Sequence, residues 1–268
     1  MEKAIKKYWP IFLLPTLAAF AIGFIWPFLW GTYLSFHKFT TISRTTFVDA
    51  FWFTAAFTVV STILINVIAF AVALALTRGL RGTNVFRTVF FLPNLIGGIV
   101  LGYIWQILLN GLLANLGKPL LALNATYGFW GLIILMCWQQ IGYMMIIYIA
   151  GLQNVPTDLI EAARIDGATS RQVLTRVKIP MVMPSITICT FLTLTNSFKL
   201  FDQNLSLTGG EPAKASQMLA LNIYDTFYAR SGAQWKGIGQ AKAVVFFLAV
   251  VVIALIQLRL TRSKEVQQ

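Results

Sequence analysis

The sequence has little of what enzymes use for chemistry. Among its 268 residues are one histidine, two cysteines and nine acidic residues, and only 11% are charged. His37 ends the first apolar run, where we expect a solvated interfacial side chain. Cys137 and Cys189 each lie inside an apolar run with no second metal ligand at a suitable spacing, which predicts small buried side chains. No nucleophile, base or metal cluster converges, which argues against an enzyme.

Long apolar runs are what the sequence has instead. Hydrophobic residues make up 57% of the chain and aromatic residues 14%, well above the soluble norm. A membrane-spanning helix needs about 20 mostly apolar residues, because each residue rises only about 1.5 Å. Six segments qualify, at 10–36, 52–77, 88–109, 127–150, 181–201 and 240–258. The first is too long for a cleaved signal, so we expect a retained span, and the last has Lys242 near its start.

The distribution of basic residues predicts how the spans are oriented. The net charge of +12 comes from short segments between apolar runs, which indicates membrane topology and not a nucleic-acid partner. Lysine and arginine are retained on the cytoplasmic side of a membrane. One alternate set of segments is richer in them; it holds Lys3, Lys6, Lys7, Arg78, Arg81, Arg87, Arg164, Arg171, Arg176, Lys178, Arg259, Arg262 and Lys264. We therefore expect both termini to be cytoplasmic.

Prolines and one long connection interrupt this pattern. Pro15, Pro27 and Pro93 predict helix kinks, although the polar and glycine residues after Pro93 leave a broken helix lining a polar path as an alternative. The connection at 202–239 is too long to be structureless. Apolar and aromatic residues at helical spacing, from Leu219 to Tyr228, predict a short amphipathic helix there, preceded by a turn at 208–212.

The most patterned stretch lies between the fourth and fifth predicted spans, on the positive side. Thr157 can cap a first helix with Asp158 in its first turn, and Gly167 allows the backbone to reverse. A second helix begins at Thr169 or Ser170, and Pro180 closes the unit. The spacing predicts two short helices, about 157–165 and 169–177, that form a rigid knob. A solvated loop without a partner is the alternative on charge and helicity alone.

The residues of this knob closely resemble the conserved loop of bacterial binding-protein-dependent ABC importer permeases. That loop reads Glu-Ala-Ala, then Asp-Gly-Ala, then Ile-Pro and a further Pro. The matching positions are Glu161, Ala162, Ala163, Asp166, Gly167, Ala168, Ile179, Pro180 and Pro184. The resemblance implies an all-α, type I (MetI-like) permease of six transmembrane helices with a cytoplasmic pair of coupling helices.

In that family the loop docks in a cleft of a cytoplasmic ATP-binding subunit, which implies the same for residues 157–177. The chain lacks a Gly-x-x-x-x-Gly-Lys-Ser/Thr motif, so we expect it to bind no cofactor and the partner ATPase to hold ATP and magnesium. The resemblance also implies a bacterial inner-membrane location. The implied partners are a second homologous permease subunit in a heterodimer, two ATP-binding subunits and an extracytoplasmic solute-binding protein.

A second resemblance follows the fifth predicted span. Phe198-Lys199-Leu200-Phe201-Asp202, then Leu207-Thr208-Gly209-Gly210 and Pro212, then Ile223-Tyr224 and Phe227, are similar to the carbohydrate branch, in particular its maltose/multiple-sugar first permease subunit. The usual Gly-Gly-Pro is Gly-Gly-Glu-Pro here. The resemblance implies that the solute is a carbohydrate, which the binding protein would deliver.

Polar side chains in the spans are candidates for contacting that solute. Sugars need amides and carboxylates for hydrogen bonds and aromatic faces for stacking. The candidates are Gln139, Gln140, Tyr143, Asn196, Phe198 and Asp202. Each could instead join helices by hydrogen bonds. Lys199 lies three residues before Asp202, so a local ion pair or snorkelling to the outer interface would account for both.

Other transport functions remain open on the sequence. The same architecture could import another solute, such as glycerol phosphate, a peptide or a polyamine. An autonomous channel or secondary transporter is a different class, but no Asp or Glu falls well inside a predicted span to form a carboxylate relay.

Overall fold

The computed structural model describes residues 13–37, 44–79 and 82–262. Every regular element in these ranges is helical. In chain order the helices are α1 (Leu13–Tyr33, with a π-turn at Ala21–Ile25), α2 (Arg44–Leu76), α3 (Thr83–Phe91), α4 (Gly98–Asn115), α5 (Ala125–Gln153), α6 (Thr157–Ile165), α7 (Ser170–Met181), α8 (Met183–Phe198), α9 (Asp202–Leu207), α10 (Leu219–Tyr228) and α11 (Ala233–Arg262).

Two compact units make up the chain, and each has its own packing. The larger contains Thr45–Asn222 and Ala249–Gln268, and the smaller contains Met1–Arg44 and Ile223–Leu248. The sequence, which shows no internal repeat or low-complexity segment, predicts a single transmembrane domain over residues 1–268, and this stays a prediction. α5 is the most buried candidate span in the described part of the chain, and it forms the centre of the larger unit.

The described helices include five that are long and apolar enough to cross a membrane, or six if the bent pair α7–α8 counts as one span. This confirms an all-α, multi-spanning protein. The first, second, fourth and sixth predicted segments fall on α1, α2, α5 and α11. Pro27 follows the π-turn of α1, where a widened turn accommodates a residue without an N–H.

The third predicted span, 88–109, is wrong at its start. α3 gives way to a 3₁₀ turn at Leu92–Leu95 and an extended residue, Ile96, and the spanning helix α4 begins only at Gly98. A continuous helix would need a hydrogen bond from the Pro93 nitrogen, which has no hydrogen. Pro93 therefore produces a broken helix, the second of the two alternatives that the sequence left open.

The break packs against α5 because residue 142 has no side chain. A Cβ added to Gly142 would overlap the Phe90 carbonyl group and lie 2.9 Å from the Phe91 nitrogen. The α3 backbone therefore passes directly over α5 at this position. This contact fixes the position of the helix break, and of Asn94 within it. The polar residues that lie about one turn before Gly142 on α5 therefore come close to the break.

The fifth predicted span, 181–201, is bent and shorter than expected. α7 and α8 meet at Val182 at an angle of 69°, and α8 ends at Phe198. The sequence predicted that Pro180 closes the knob, but α7 runs on past this residue to Met181. A π-turn at Val173–Lys178 precedes the proline. Pro184 lies in the first turn of α8, a position that tolerates proline.

Polar side chains join α2, α5 and α8 inside the larger unit. Ser61 donates a hydrogen bond to Ser197 (2.9 Å), Asn66 donates to Thr193 (3.0 Å) and the Tyr148 hydroxyl donates to Asn66 Oδ1 (2.6 Å). Such bonds are worth about 0.6 kcal/mol each on average in membrane proteins. The two cysteines are buried as predicted.

The connection after α8 is folded around one amide. Asn204 on α9 is fully buried and donates from Nδ2 to Thr208 Oγ1 (3.0 Å) and the Ser216 carbonyl (2.8 Å), while its Oδ1 accepts from the Met218 N–H (2.9 Å). The next N–H, that of Leu219, donates to Thr54 on α2 (2.8 Å). The predicted turn at 208–212 and the predicted amphipathic helix, α10, are both confirmed, whereas α9 was not foreseen.

In the smaller unit, aromatic rings and one buried lysine organise the packing. Phe28 packs edge-on against Phe247 at 5.2 Å, and Trp26, Trp30 and Tyr33 stack along α1. Lys242, which made the sixth span doubtful, is buried, and its Nζ donates to Thr226 Oγ1 (2.8 Å). A lysine with a hydroxyl partner is compatible with a continuous apolar helix.

Several sequence predictions concern residues outside the described ranges. These are the basic residues Lys3, Lys6, Lys7, Lys38, Arg81 and Lys264, and residues 10–12 of the first span. The side chain of His37 is also outside the described part. The orientation of the termini therefore stays a prediction.

We predict that Gly142→Ala destabilises the protein, because the added methyl group meets rigid backbone. Overpacking of this kind costs about 1–3 kcal/mol. Gly111→Ala on α4 is the matched control, since a Cβ there has no atom within 4 Å. The thermal unfolding midpoint of the purified permease should fall for Gly142→Ala and not for Gly111→Ala; equal midpoints would contradict the close approach.

Asn204→Ala should loosen the connection after α8, because it leaves the Met218 N–H and the Ser216 carbonyl without partners. Two unsatisfied buried groups cost at least about 2 kcal/mol together. Asn115→Ala at the exposed end of α4 is the control. Limited proteolysis should cut Asn204→Ala faster within residues 208–218, and an unchanged cleavage pattern would argue against a central role for this amide.

Candidate functional site

A polar cavity lies inside the larger unit. Its volume is about 530 Å³, within the range of small-molecule sites. It is lined by Asn94, Met136, Gln139, Gln140, Asn196, Lys199, Leu200, Phe201, Asp202 and Gln203. Amide, ammonium and carboxylate groups dominate this list, although the surrounding helices are apolar.

Interruptions in the helices bring these residues together. Asn94 lies in the 3₁₀ turn between α3 and α4, and Asn196 and Lys199 lie at the end of α8. Asp202 and Gln203 begin α9, and Gln139 and Gln140 follow one another on the unbroken helix α5. Backbone that leaves the helical form inside a membrane protein is tolerated where it is buried or lines a cavity.

Gln139 holds one side of the cavity in place. Its Oε1 accepts a hydrogen bond from Gln203 Nε2 (2.7 Å), and its Nε2 donates to the Ile96 carbonyl (3.2 Å). One amide thereby ties the break before α4 to the start of α9. Both polar atoms of Gln139 are engaged, which favours the helix-joining role that the sequence left open for each polar residue.

Gln140, the next residue, has a side-chain oxygen without a hydrogen-bond partner among the described residues, unlike Gln139. Gln140 is 8% exposed, and this oxygen, Oε1, is buried. A buried amide oxygen without a partner costs about 1–3 kcal/mol. Because this oxygen is closed off from solvent, a solute hydroxyl could donate to it only after the Gln140 side chain turns towards the cavity; Gln139, whose two polar atoms are engaged, is held in place.

Two of the six predicted solute contacts do not line the cavity. Phe198 is 2% exposed and packs edge-on against Phe51 at 6.4 Å, and Tyr143 packs near Phe91 at 6.5 Å. Both aromatic rings belong to the packing of the helices. Gln139, Gln140, Asn196 and Asp202 do line it, so the structure brings four of the six together.

The sequence left a local ion pair with Asp202 and snorkelling to the outer interface as two accounts of Lys199, and the structure does not show the first among the described residues. The described part of the chain records no ion pair between them, and both side chains are exposed along the cavity. The helix ends at Phe198 and restarts at Asp202, so the two residues do not share the face of one helix that an i, i+3 pair requires.

Sequence reasoning missed Gln203, Phe201, Leu200 and Met136 as lining residues; it raised a broken helix lining a polar path at Asn94 as an alternative, but did not name Asn94 as a solute contact. Gln203 continues the polar run after the fifth span, so the end of that run was a usable signal. No sequence signal predicted that the break at Pro93 would face the same cavity, because this depends on how α3 crosses α5.

The loop that the resemblance predicts to contact the ATPase, named the coupling loop below, comprises α6, a glycine turn and α7. The Gly167 N–H donates to the Arg164 carbonyl (3.0 Å) and the Ala168 N–H to the Ala163 carbonyl (2.9 Å), which is the Schellman ending of a helix, with Gly167 at φ +81°. Thr169 then forms a capping box with Gln172. The reversal at Gly167 and the second start at Thr169 agree with the sequence prediction, and hydrogen bonds that the sequence did not foresee hold the turn on both sides.

One detail of the loop differs from the prediction. Thr157 does not cap α6; it is the first helical residue, Pro156 occupies the cap position, and Thr157 Oγ1 approaches only Asp158 Oδ1 at 3.5 Å. Asp158 does lie in the first turn, as expected. The fixed φ of proline at this position sets the direction in which the chain enters α6, and no side chain among the described residues caps the helix with a hydrogen bond.

The surface of the loop combines polar and apolar groups. Glu161, Ala162, Asp166, Gly167 and Pro184 are exposed, and Ala163, Ala168 and Pro180 are half-buried. Two apolar residues that the sequence analysis did not single out also face outward: Ile165 is 86% exposed and Leu159 45%. Leu159 and Ile165 thus add apolar area to a surface that is otherwise made of small and polar residues.

Comparison with known proteins places the chain in a family. The family described as binding-protein-dependent transport system inner membrane component matches residues 67–265. The probable starch degradation products transport system permease protein AmyD of Thermoanaerobacterium thermosulfurigenes is 44% identical, over 97% of this chain and 95% of that protein. The multiple sugar-binding transport system permease protein MsmF of Streptococcus mutans is 28% identical, over 99% of each.

A relative named for a different solute is almost as similar as MsmF. The sn-glycerol-3-phosphate transport system permease protein UgpA of Brucella abortus is 29% identical, over 97% of this chain and 96% of that protein.

A solved structure has the same fold. In the crystal structure of a bacterial ABC transporter involved in the import of the acidic polysaccharide alginate, one chain superposes with a TM-score of 0.81, at 20% identity, over 97% of this chain and 98% of that one. At that identity the likeness concerns the fold alone. Together with the family match, it shows that this chain is a member of the binding-protein-dependent transport system inner membrane components, the permeases of ABC importers.

Proposed function

We propose that this permease translocates a carbohydrate, in particular an oligosaccharide delivered by an extracytoplasmic binding protein. The observation that carries the proposal is the cavity of about 530 Å³, lined by Asn94, Gln139, Gln140, Asn196 and Gln203. Amides both donate and accept hydrogen bonds, as sugar hydroxyls do. The two relatives named for starch degradation products and multiple sugars support the same solute class.

Energy for transport comes, in this proposal, from separate ATP-binding subunits that hold ATP and magnesium. One of them docks on the coupling loop, with Ile165 and Leu159 as apolar contacts beside Glu161 and Gly167. Two such subunits and a second, homologous permease complete the transporter. The hydrogen-bonded turn at Gly167 supports the proposal, because a rigid knob transmits displacement that a flexible loop would absorb.

The direction of insertion is part of the proposal. The coupling loop and both termini lie in the cytoplasm, and the α4–α5 and α8–α11 connections lie outside. Arg164, Arg171, Arg176 and Lys178 on the loop, and Arg78 and Arg87 before the third span, support this orientation.

A two-state mechanism follows from the docking. To shift a permease between inward-facing and outward-facing populations from 1:99 to 99:1, its partners must favour one state by roughly 5.5 kcal/mol. α7 continues from the coupling loop into α8 through the bend at Val182, and α8 ends at the cavity. Displacement of the knob would therefore reach Asn196 and Lys199 along one stretch of chain.

Import of glycerol phosphate is the second candidate, because the UgpA relative is as similar as MsmF. Lys199 at the cavity offers a cation for a phosphate. ATP-driven uptake into proteoliposomes containing the complete transporter, measured for a panel of oligosaccharides and sn-glycerol 3-phosphate, tests the proposal. Uptake of the phosphate ester without any oligosaccharide would contradict carbohydrate import.

Asn196→Ala should lower the apparent affinity for the transported sugar about tenfold and leave the unfolding midpoint unchanged, because no hydrogen bond of its side chain joins helices among the described residues. Gln139→Ala should lower both, because it also releases Gln203 and the Ile96 carbonyl. Radiolabelled uptake and thermal unfolding of the same preparations make the comparison. Loss of stability without loss of affinity in Asn196→Ala would remove this residue from the solute path.

Gly167→Pro should uncouple ATP hydrolysis from sugar uptake or prevent assembly with the ATPase. Proline cannot adopt the φ of +81° and removes the N–H that donates to Arg164. Gly117→Pro is the matched control: Gly117 also follows a helix with positive φ (+63°) and donates to Ala114 (3.0 Å), but it lies in the α4–α5 connection.

Both proline variants should be destabilised to a similar extent. Only Gly167→Pro should change the number of ATP molecules hydrolysed per sugar imported. Normal coupling in Gly167→Pro, or equal uncoupling in Gly117→Pro, would contradict the docking of the ATPase at this loop.

A further inference from the structure

We infer that the cavity selects uncharged, hydroxyl-rich solutes against anionic ones, and that Asp202 is the residue that sets this preference. The inference rests on the proposed function, since it takes the cavity to be the solute path. It goes further in assigning a charge class to the solute and a specificity role to one residue.

The formal charges at the cavity cancel. Lys199 and Asp202 are the only ionisable residues among its lining side chains, and no ion pair between them is recorded in the described part of the chain. A cavity built for an anion would present excess positive charge or convergent N–H donors. This cavity instead presents one ammonium group, one carboxylate and several amides.

Asp202, which carries the carboxylate, lies where the backbone is closely packed. The Asp202 carbonyl accepts a hydrogen bond from Ser206 Oγ (2.7 Å), within α9. A Cβ added to Gly98 at the start of α4 would lie 2.7 Å from Asp202 Cβ, so the two backbones are in close contact at that point. Aspartate has only two side-chain torsions, and its carboxylate therefore stays near this point of the wall.

Lys199 is less constrained than Asp202. Lys199 follows α8 in the non-helical link to α9, its backbone N–H bonds to the Thr195 carbonyl (3.2 Å), and its side chain is exposed. Its four-carbon stem lets the ammonium group move away from the wall or follow a solute. The negative charge of the pair is thus confined, whereas the positive charge is mobile.

The solute groups that this wall can satisfy are hydroxyls. A sugar hydroxyl can donate to the exposed Asp202 carboxylate and accept from the Lys199 ammonium group. A carboxylate or dianionic phosphate group at the same place has no proton to donate, so it leaves the Asp202 oxygens unsatisfied and is repelled by their charge. Gln139 adds little to this choice, because both of its polar atoms are engaged within the protein.

Binding to the assembled transporter, without the binding protein, tests the inference on this chain's own cavity. The probes are maltotriose and the same trisaccharide with a carboxylate at C6 of its terminal glucose, titrated at pH 7 into the complex in nanodiscs. The measured quantity is the ratio of the two dissociation constants. We expect the wild type to prefer the neutral sugar about tenfold, as one partly screened like-charge contact would produce.

Two charge-removing variants should shift this ratio in opposite directions. Asp202→Asn should reduce the preference for the neutral sugar about tenfold, and Lys199→Gln should increase it. Glu211→Gln is the matched control, since it removes a carboxylate from the same connection, one that pairs with Lys214 at 3.7 Å and is not in the cavity lining. It should leave the ratio at the wild-type value.

The outcomes separate this inference from the proposed function. Equal wild-type affinity for the two trisaccharides, or an unchanged ratio in Asp202→Asn, would overturn the inference and leave carbohydrate import standing. Tighter binding of sn-glycerol 3-phosphate than of maltotriose would overturn both. If Asp202→Asn fails to assemble, an unchanged ratio in Lys199→Gln would still count against the inference.

Discussion

The structure depends on one constraint: inside the hydrocarbon layer, every backbone N–H and carbonyl must find a partner within the protein. Most of the chain meets it with unbroken helices such as α2 and α5. Among the stretches that leave the helical form are residues 92–97, beside the cavity, and residues 208–218 of the connection after α8, and side chains pair part of both. Gln139 bonds to the Ile96 carbonyl, and Asn204 bonds to Ser216 and Met218. These amides allow an irregular backbone to exist within a membrane protein.

The cavity follows from two interruptions of the helices, between α8 and α9 and at residues 92–97. Because α8 stops at Phe198 and α9 restarts at Asp202, the residues between them face a space instead of a helix neighbour. Because Gly142 admits the α3 backbone, the second interruption lies against α5 near Gln139. Breaks in the helices thus produce a polar space of about 530 Å³ in a chain that is 57% hydrophobic. The same breaks separate Lys199 from Asp202, leaving both charges at the cavity surface.

In the coupling loop, backbone N–H and carbonyl groups at the helix ends find hydrogen-bond partners within the loop itself, and this makes the loop rigid. The Schellman turn at Gly167 and the capping box at Thr169 pair the ends of α6 and α7 without help from the spans. The small residues of the loop leave Ile165 standing out from the surface, where water surrounds it in the isolated chain. A rigid loop with an exposed apolar residue suits the proposed docking of an ATPase, because the partner would then displace the whole loop as one unit. α7 and α8 then link that surface to the cavity along one continuous stretch.

The sequence by itself determined four of the six spans, the helix pair around Gly167, the helix at Leu219–Tyr228 and the permease family, because local hydrophobicity, turn chemistry and short motifs encode these features. It also found four cavity residues, since polar side chains in apolar runs are costly and therefore rare. Only the tertiary structure decided that Pro93 breaks its helix, that this break faces the cavity, and that Phe198 and Tyr143 pack away from it. Those outcomes depend on which helices cross and how closely, a property of distant residues such as Phe90 and Gly142 that no local pattern records.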